Sequence, residues 1–321
     1  MNIQQTLDTF SVLFPVFALI AAGFVAYRTH IMGEHAAREL SRFVVWLALP
    51  ALLFTIMAKS DWQQMWQSDF IAVFSIASFV VFFGVLGWRL LRHKSLADAS
   101  VDSLAAAYSN TGYIGFPLMF LVFGSASEIP TAIASVIVVS LLFGFAIVLI
   151  ESALHRQMAW YLRLWNVLRS VLKNPLVFAP IAGGLFAATP YSLPQAVDNF
   201  LGLLAGAASP AALVSLGLFL AIAWDDERTK NWSIRQTALS LSVVKLVLQP
   251  LLVAWLAFSV FKMDTEMALM AIILAALPTG TGPYMLAEFY RRDALVTAQT
   301  ILISTVLSII SLSVLMHLFG L

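Results

Sequence analysis

Asn110-Thr111-Gly112-Tyr113-Ile114-Gly115-Phe116-Pro117 and Pro278-Thr279-Gly280-Thr281-Gly282-Pro283 decide how this chain is read, because each interrupts a long uncharged stretch near its middle. Proline removes a backbone donor and clashes with the preceding turn, and glycine lets the chain leave helical angles. Both clusters therefore predict a helix that unwinds and frees polar backbone groups. Hydrocarbon tolerates such groups only where protein buries them or where they line a wet cavity. A half-helix restarting after the break offers N–H groups and the positive end of its dipole, a cradle suited to a carboxylate or another anion. Asn110, Thr111, Thr279 and Thr281 add side-chain donors and acceptors. Paired interruptions at corresponding positions of two halves mark the binding site of a repeat-built transporter. Ordinary kinking is the competing explanation, since proline and glycine are frequent in membrane helices.

The surroundings call for a membrane. Of 321 residues, 61% are hydrophobic and 11% charged, and the mean hydropathy is +0.90, outside the balance of a water-soluble domain. Ten nearly charge-free stretches are long enough to be read as membrane spans: 9–27, 43–58, 70–87, 103–127, 129–150, 174–197, 199–224, 236–261, 267–287 and 294–321. Only the eighth contains a charge, Lys245. Fifteen of the 18 Lys and Arg residues fall in alternate connections, and the opposite side holds only Lys59 and Lys262. Basic residues accumulate on the cytoplasmic side, so both termini are expected outside and the protein in the cell membrane.

The longest connection, 151–173, mixes Trp160, Tyr161 and Trp165 with basic residues and is expected to lie at the headgroup level inside the cell. It separates a first five-helix repeat, 1–150, from a second, 174–321. Pro50-Ala-Leu-Leu-Phe-Thr-Ile recurs as Pro210-Ala-Ala-Leu-Val-Ser-Leu, and Leu104-Ala-Ala-Ala before Thr111-Gly112 recurs as Leu274-Ala-Ala-Leu before Thr279-Gly280. An odd number of spans per half makes the repeat inverted. The expected fold is thus an all-α integral membrane protein with about ten transmembrane helices, a 5+5 inverted repeat and two broken crossover helices.

Lys245 lies too deep in its span to reach a headgroup layer, so it is either a counter-charge or coupling group, or a cap on carbonyls freed near Pro250. No Asp or Glu sits centrally in any span; Asp102, Glu128, Glu151 and Glu288 come nearest. Coupling to a proton or sodium would then rest on hydroxyls, amides and backbone. An anion leaving an inside-negative cell gains about 2.3 kcal/mol per charge per 100 mV, enough to drive efflux without a co-ion. Gly202-x-x-x-Gly206 is expected to serve close helix packing.

Several classes drop out. A balanced net charge of +1 offers no basic face for nucleic acid. The chain has no cysteine, its histidines lack ligand spacing, and neither a Walker sequence nor a full dinucleotide fingerprint is present, so no metal or cofactor is implied. No polar cluster suggests an enzyme.

Asn110-Thr111-x-x-x-Gly115-Phe116-Pro117-Leu118, Ser215-Leu216-Gly217-Leu218-Phe219 and Ala276-Leu277-Pro278-x-Gly280-x-x-Pro283-Tyr284 closely resemble the auxin efflux carrier family, across both halves of the chain. The short central connection resembles the bacterial type, to which malate, malonate and similar carboxylates are usually assigned, rather than the plant type. The resemblance implies a scaffold domain, a transport domain with crossed broken helices, an elevator-like alternation and, in many members, a homodimer. It implies that Asn110 contacts the substrate carboxylate and that Pro117 and Pro283 shape the crossover. The candidate substrate-binding set is Asn110, Thr111, Gly112, Pro117, Pro278, Thr279, Gly280, Thr281 and Pro283, with Lys245 as the charge or coupling candidate. The partners expected are a small organic anion and the lipid bilayer. A sodium-coupled symporter of the bile acid type and a sensor without flux are the alternatives.

Overall fold

The structure is a computed structural model that describes residues 3–59, 66–154, 161, 165, 169, 175–225, 231–292 and 294–321; the side chains of 3–13, 177 and 288 lie outside that description. The described chain is helical: α1 (Ile3–Arg28), α2 (Glu34–Lys59), α3 (Ser68–Leu91), α4 (Leu96–Ala107), α5 (Phe116–Phe123), α6 (128–154), α7 (Pro175–Ala187), α8 (Gln195–Asp225), α9 (Trp232–Val260), α10 (Thr265–Ala276), α11 (Gly282–Phe289) and α12 (Leu295–Phe319). Six helical runs are long and apolar enough to cross a membrane: Glu34–Lys59, Ser68–Leu91, Thr111–Leu154, Gln195–Asp225, Trp232–Val260 and Leu295–Phe319. The third of these is folded into α5 and α6, because Gly124 adopts φ +65° and leads into a 3-10 turn over Gly124–Ser127. Only glycine takes that angle without strain.

Three helix starts are capped by short polar side chains, which fixes where the chain enters apolar surroundings. Ser95 Oγ accepts the Asp98 N–H at 3.1 Å and donates to the Asp98 carboxylate at 2.6 Å, opening α4. Asn231 and Asp264 do the same service for α9 and α10 through the N–H groups of Ser233 and Glu266. The expected linker 151–173 falls outside the described residues except at 151–154, 161, 165 and 169.

The helices sort into two bundles. In the first, α1 packs along α8 and α7 packs along α2, and α2 also meets α8. The second contains α3, α4 with α5, α6, α9, α10 with α11, and α12. Glycine lets the first bundle close so tightly that backbones touch. A Cβ on Gly23 would lie 2.1 Å from the Val214 carbonyl oxygen, one on Gly217 1.9 Å from that of Ile20, and one on Gly183 2.6 Å from that of Phe54. Gly202 and Gly206, expected to perform this role, face open space, and Gly206 borders a cavity. Among the described residues no second helix lies against that pair.

The second bundle holds a buried ion pair that the sequence does not announce. Arg89 Nε on α3 donates to Asp102 Oδ2 on α4 at 2.7 Å, with both side chains only 6% exposed. In a dry interior each charge needs the other, so the pair pins the first half-helix to its neighbour.

Candidate substrate site

α4 and α10 both end in small buried residues. Ala105, Ala106 and Ala107 on one side and Ala271, Ala275 and Ala276 on the other are fully buried. Beyond Ala107 the chain leaves helical angles, with ψ 96° at Tyr108, and beyond Ala276 Leu277 takes ψ 147°. The two short extended pieces cross as an antiparallel bridge between Ser109 and Thr279. The Asn110 N–H donates to the Pro278 carbonyl at 2.9 Å, and the Gly280 N–H donates to the Tyr108 carbonyl at 3.1 Å. The backbone groups freed by each break are thus satisfied by the other break, which is what burial at this depth demands.

Glycine is needed on the second arm for a packing reason. The Tyr108 ring lies against that arm, so a Cβ on Gly280 would come within 2.8 Å of it and one on Gly282 within 2.6 Å. Thr279 is fully engaged: its N–H donates to Ser304 Oγ at 3.1 Å and its Oγ1 donates to the Ala105 carbonyl at 2.8 Å.

The first arm is different. Thr111, Ile114 and Gly115 spend their N–H groups on the carbonyls of Ser109 and Asn110. Asn110 Oδ1 accepts the Tyr113 N–H at 3.2 Å and so caps the new helix. Most of the N–H groups expected to face an anion are therefore occupied. What remains are Asn110 Nδ2, Thr111 Oγ1 and Ser109 Oγ, all buried and without a partner among the described residues. An amide donor left unsatisfied in a dry interior costs about 1–3 kcal/mol. Asn110 Nδ2 is thus a donor with no acceptor among the described residues.

Two cavities flank the crossing from opposite ends, each between the α2–α8 pair of the first bundle and one arm. The first, about 570 Å3, is bordered by Arg38, Ser41 and Arg42 of α2, Ser215 of α8, Thr281 of the second arm and Arg292. The second, about 790 Å3, is bordered by Thr55 and Lys59 of α2, Ser209 of α8, Pro117 beyond the first arm, and Glu128 and Thr131 of α6. Of the residues expected to bind substrate, Thr281 and Pro117 reach the cavities, one each. Asn110, Thr111, Pro278, Thr279 and Gly280 are brought together at the crossing itself, buried, and Gly112 and Pro283 flank them.

Around the first cavity the charges are mostly committed. Arg292 donates to both oxygens of Asp98 at 2.8 Å, and Arg42 pairs with Glu39. Beside Arg292, Tyr290 donates to Glu151 at 2.7 Å, and burial together with that carboxylate holds the phenol above its usual range. Arg38, which is exposed, has no partner among the described residues and supplies free positive charge to this entrance.

Lys245 does not join the site. It is fully buried on α9 within the second bundle, and its Nζ donates to the Ala275 carbonyl at the end of α10, not to carbonyls freed by Pro250. Sequence reasoning also missed Tyr113, whose hydroxyl lies 3.3 Å from Ser41 Oγ across the bundle boundary and also bonds Thr281. It missed the buried hydroxyls of α12 as well; Thr297, Thr300, Ser304 and Ser308 recur at helical spacing in an otherwise apolar stretch, a signal that was there to be read. Among the described residues no group of His, Asp and Glu could hold a metal.

A family profile described as "membrane transport protein" matches residues 9–316. The chain belongs to that family, the auxin efflux carrier type of transporter. It is therefore a multi-pass membrane protein of a transporter family, not an enzyme. It is 28% identical over 309 residues, 95% of this chain and 93% of the other, to a Rhizobium meliloti protein provisionally named a malonate transporter. It is 23% identical to an uncharacterized transporter of Escherichia coli K12 over 280 residues, 86% of each chain. A mouse lysosomal cholesterol signaling protein is 27% identical over 93% of this chain, which matches 36% of that longer protein.

Proposed function

We propose that this protein is a secondary transporter of small organic anions, carboxylates of the malonate, malate or auxin-like class, working by an elevator-type movement and carrying its substrate by efflux or exchange. The observation that carries the reading is Asn110 Nδ2, a buried donor without an acceptor, at a crossing that lies between two opposed cavities. A carboxylate supplies the missing acceptor. Thr111 and Ser109 hydroxyls complete a polar pocket around it, with Gly112, Pro278, Thr279, Gly280 and Thr281 forming its backbone and Pro117 and Pro283 starting the helices beyond. The free Arg38 guanidinium at one entrance favours anions, and the name of the Rhizobium meliloti relative agrees with the class.

The two bundles suggest the moving parts: α1, α2, α7 and α8 as scaffold, locked by glycine contacts, and the bundle holding the crossing as the carrier. The finer architecture belongs to the same proposal. It has ten passes, as a 5+5 inverted repeat with halves at 1–150 and 174–321 around the connection 151–173. In its favour, α1 on α8 becomes α7 on α2 when the halves are exchanged. The crossing also pairs Asn110 with Pro278 and Gly280 with Tyr108, an offset of 170 residues applied symmetrically. Termini on the non-cytoplasmic face and a homodimer complete the reading.

The test is current evoked by malonate, malate and indole-3-acetate jumps on proteoliposomes, with and without sodium, for the wild type and Asn110→Asp. A sodium-independent current absent from the variant is expected; a strict sodium requirement would favour the bile acid type of symport. A role without flux has one observation behind it, the signaling name of the mouse relative. It predicts stabilisation by a carboxylate with neither current nor counterflow.

A further inference from the structure

α9 lays two polar side chains one turn apart, Lys245 and Gln249, against the ends of both half-helices. Gln249 Nε2 donates to the Ala107 carbonyl at the end of α4, at 3.2 Å, and to Ser78 Oγ at 3.3 Å. Lys245 Nζ donates to the Ala275 carbonyl at the end of α10. Both side chains are 0% exposed. The C-terminal end of a helix carries unpaired carbonyls and a partial negative charge, and here two such ends meet inside one bundle. Half-helix ends of this kind, with unwound carbonyls, coordinate the coupling cation in repeat-built carriers.

In this chain one end is served by the amide of Gln249 and the other by the Lys245 Nζ. Among the described residues no carboxylate pairs with Lys245, and its Nζ meets the α10 end. Gln249 Oε1 stays buried without a donor among the described residues, an oxygen of the sort a cation site would use.

We propose that Lys245 is a tethered cation: its ammonium fills the position that a dissociable monovalent cation would take at the end of α10, so the carrier works without a co-ion. A free ion couples transport to its gradient because it binds on one side and leaves on the other. A tethered one crosses with the loaded carrier and returns with the empty one, so the net charge moved per cycle is the cargo's alone. The coupling half of this inference rests on the proposed transport function; the cation-site half does not.

Two readouts separate those halves. In detergent, unfolding midpoints are compared in sodium, lithium, methylammonium and choline chloride at equal ionic strength for wild type, Lys245→Ala and Lys245→Met. The wild type should ignore the choice of cation. Lys245→Ala should melt lower in choline and recover saturably with sodium or methylammonium, whereas Lys245→Met, whose stem refills the space without charge, should not. In proteoliposomes, malonate counterflow by Lys245→Ala should fall about tenfold or more in choline and return with the same cation. The inference is overturned if wild-type flux itself requires sodium, a result that depends on no variant. It is overturned equally if Lys245→Ala matches the wild type in every cation, or if its defect is rescued by none. A wild type that moves no carboxylate would sink the proposed function and leave the midpoints to decide Lys245.

Discussion

The two arms of the crossing share one backbone and differ in everything else. Each donates one N–H and accepts one, about the Ser109–Thr279 bridge. On the second arm the side chains are spent: Thr279 is bonded twice, and Gly280 and Gly282 make room for Tyr108. On the first arm Asn110 stands where the proposed repeat puts Gly280, and three polar atoms have no partner among the described residues. In the proposed repeat, this departure at Asn110 is what leaves donors for the proposed ligand. On that proposal one arm is structural and the other receptive.

Asn110→Asp attacks that contrast hardest. It keeps the oxygen that caps the Tyr113 N–H and replaces the free donor with negative charge. Carboxylate affinity should drop by at least about 100-fold, at ~1.4 kcal/mol per decade, with folding retained. Titration calorimetry that finds the affinity unchanged would remove Asn110 from the site. Gly282→Ala probes the structural arm, where the added Cβ meets the Tyr108 ring. Overpacking of this kind costs about 1–3 kcal/mol, so a lower unfolding midpoint is expected, partly regained in the double variant with Tyr108→Ala. If the double variant is as weak as the sum of the singles, the ring is not what the glycine accommodates.

A smaller effect is expected for Gln249→Leu, which leaves the Ala107 carbonyl without its side-chain donor. Hydrogen bonds between membrane helices average about 0.6 kcal/mol, so only a modest loss of stability should appear in denaturant unfolding. Arg38→Gln should be mildest: a roughly two- to threefold rise in the KM for anion presented at that entrance, vanishing at high salt because the charge is exposed. A salt-independent rise would mean that Arg38 touches bound substrate.

The crossing was legible because proline and glycine leave marks no apolar stretch can hide. The depth of Lys245 was legible for a similar reason, a charge where none belongs. Partners were not legible. Lys245 meets Ala275 and Arg89 meets Asp102 because helices distant in sequence pack there, and Arg89 read alone is one more basic residue near a loop. The glycine contacts teach the same lesson. Gly202 and Gly206 have the familiar spacing and meet no other helix among the described residues, while Gly23, Gly183 and Gly217, with no such spacing, close the first bundle. Tyr108 and Tyr113 passed unnoticed since an aromatic in an apolar helix has many ordinary uses.

The reciprocal hydrogen bonds of the crossing also set an order of events at the ribosome. The Asn110 N–H finds its acceptor on Pro278, and the Tyr108 carbonyl its donor on Gly280. At about 5–20 residues per second, the later arm emerges roughly 10–35 s after the earlier one. For that interval the first half holds unanswered peptide groups that lipid would punish, so it cannot settle as a finished unit. It must wait at a wet or proteinaceous margin of the insertion machinery until the second half arrives, and a chain cut short before Pro278 should be a substrate for degradation.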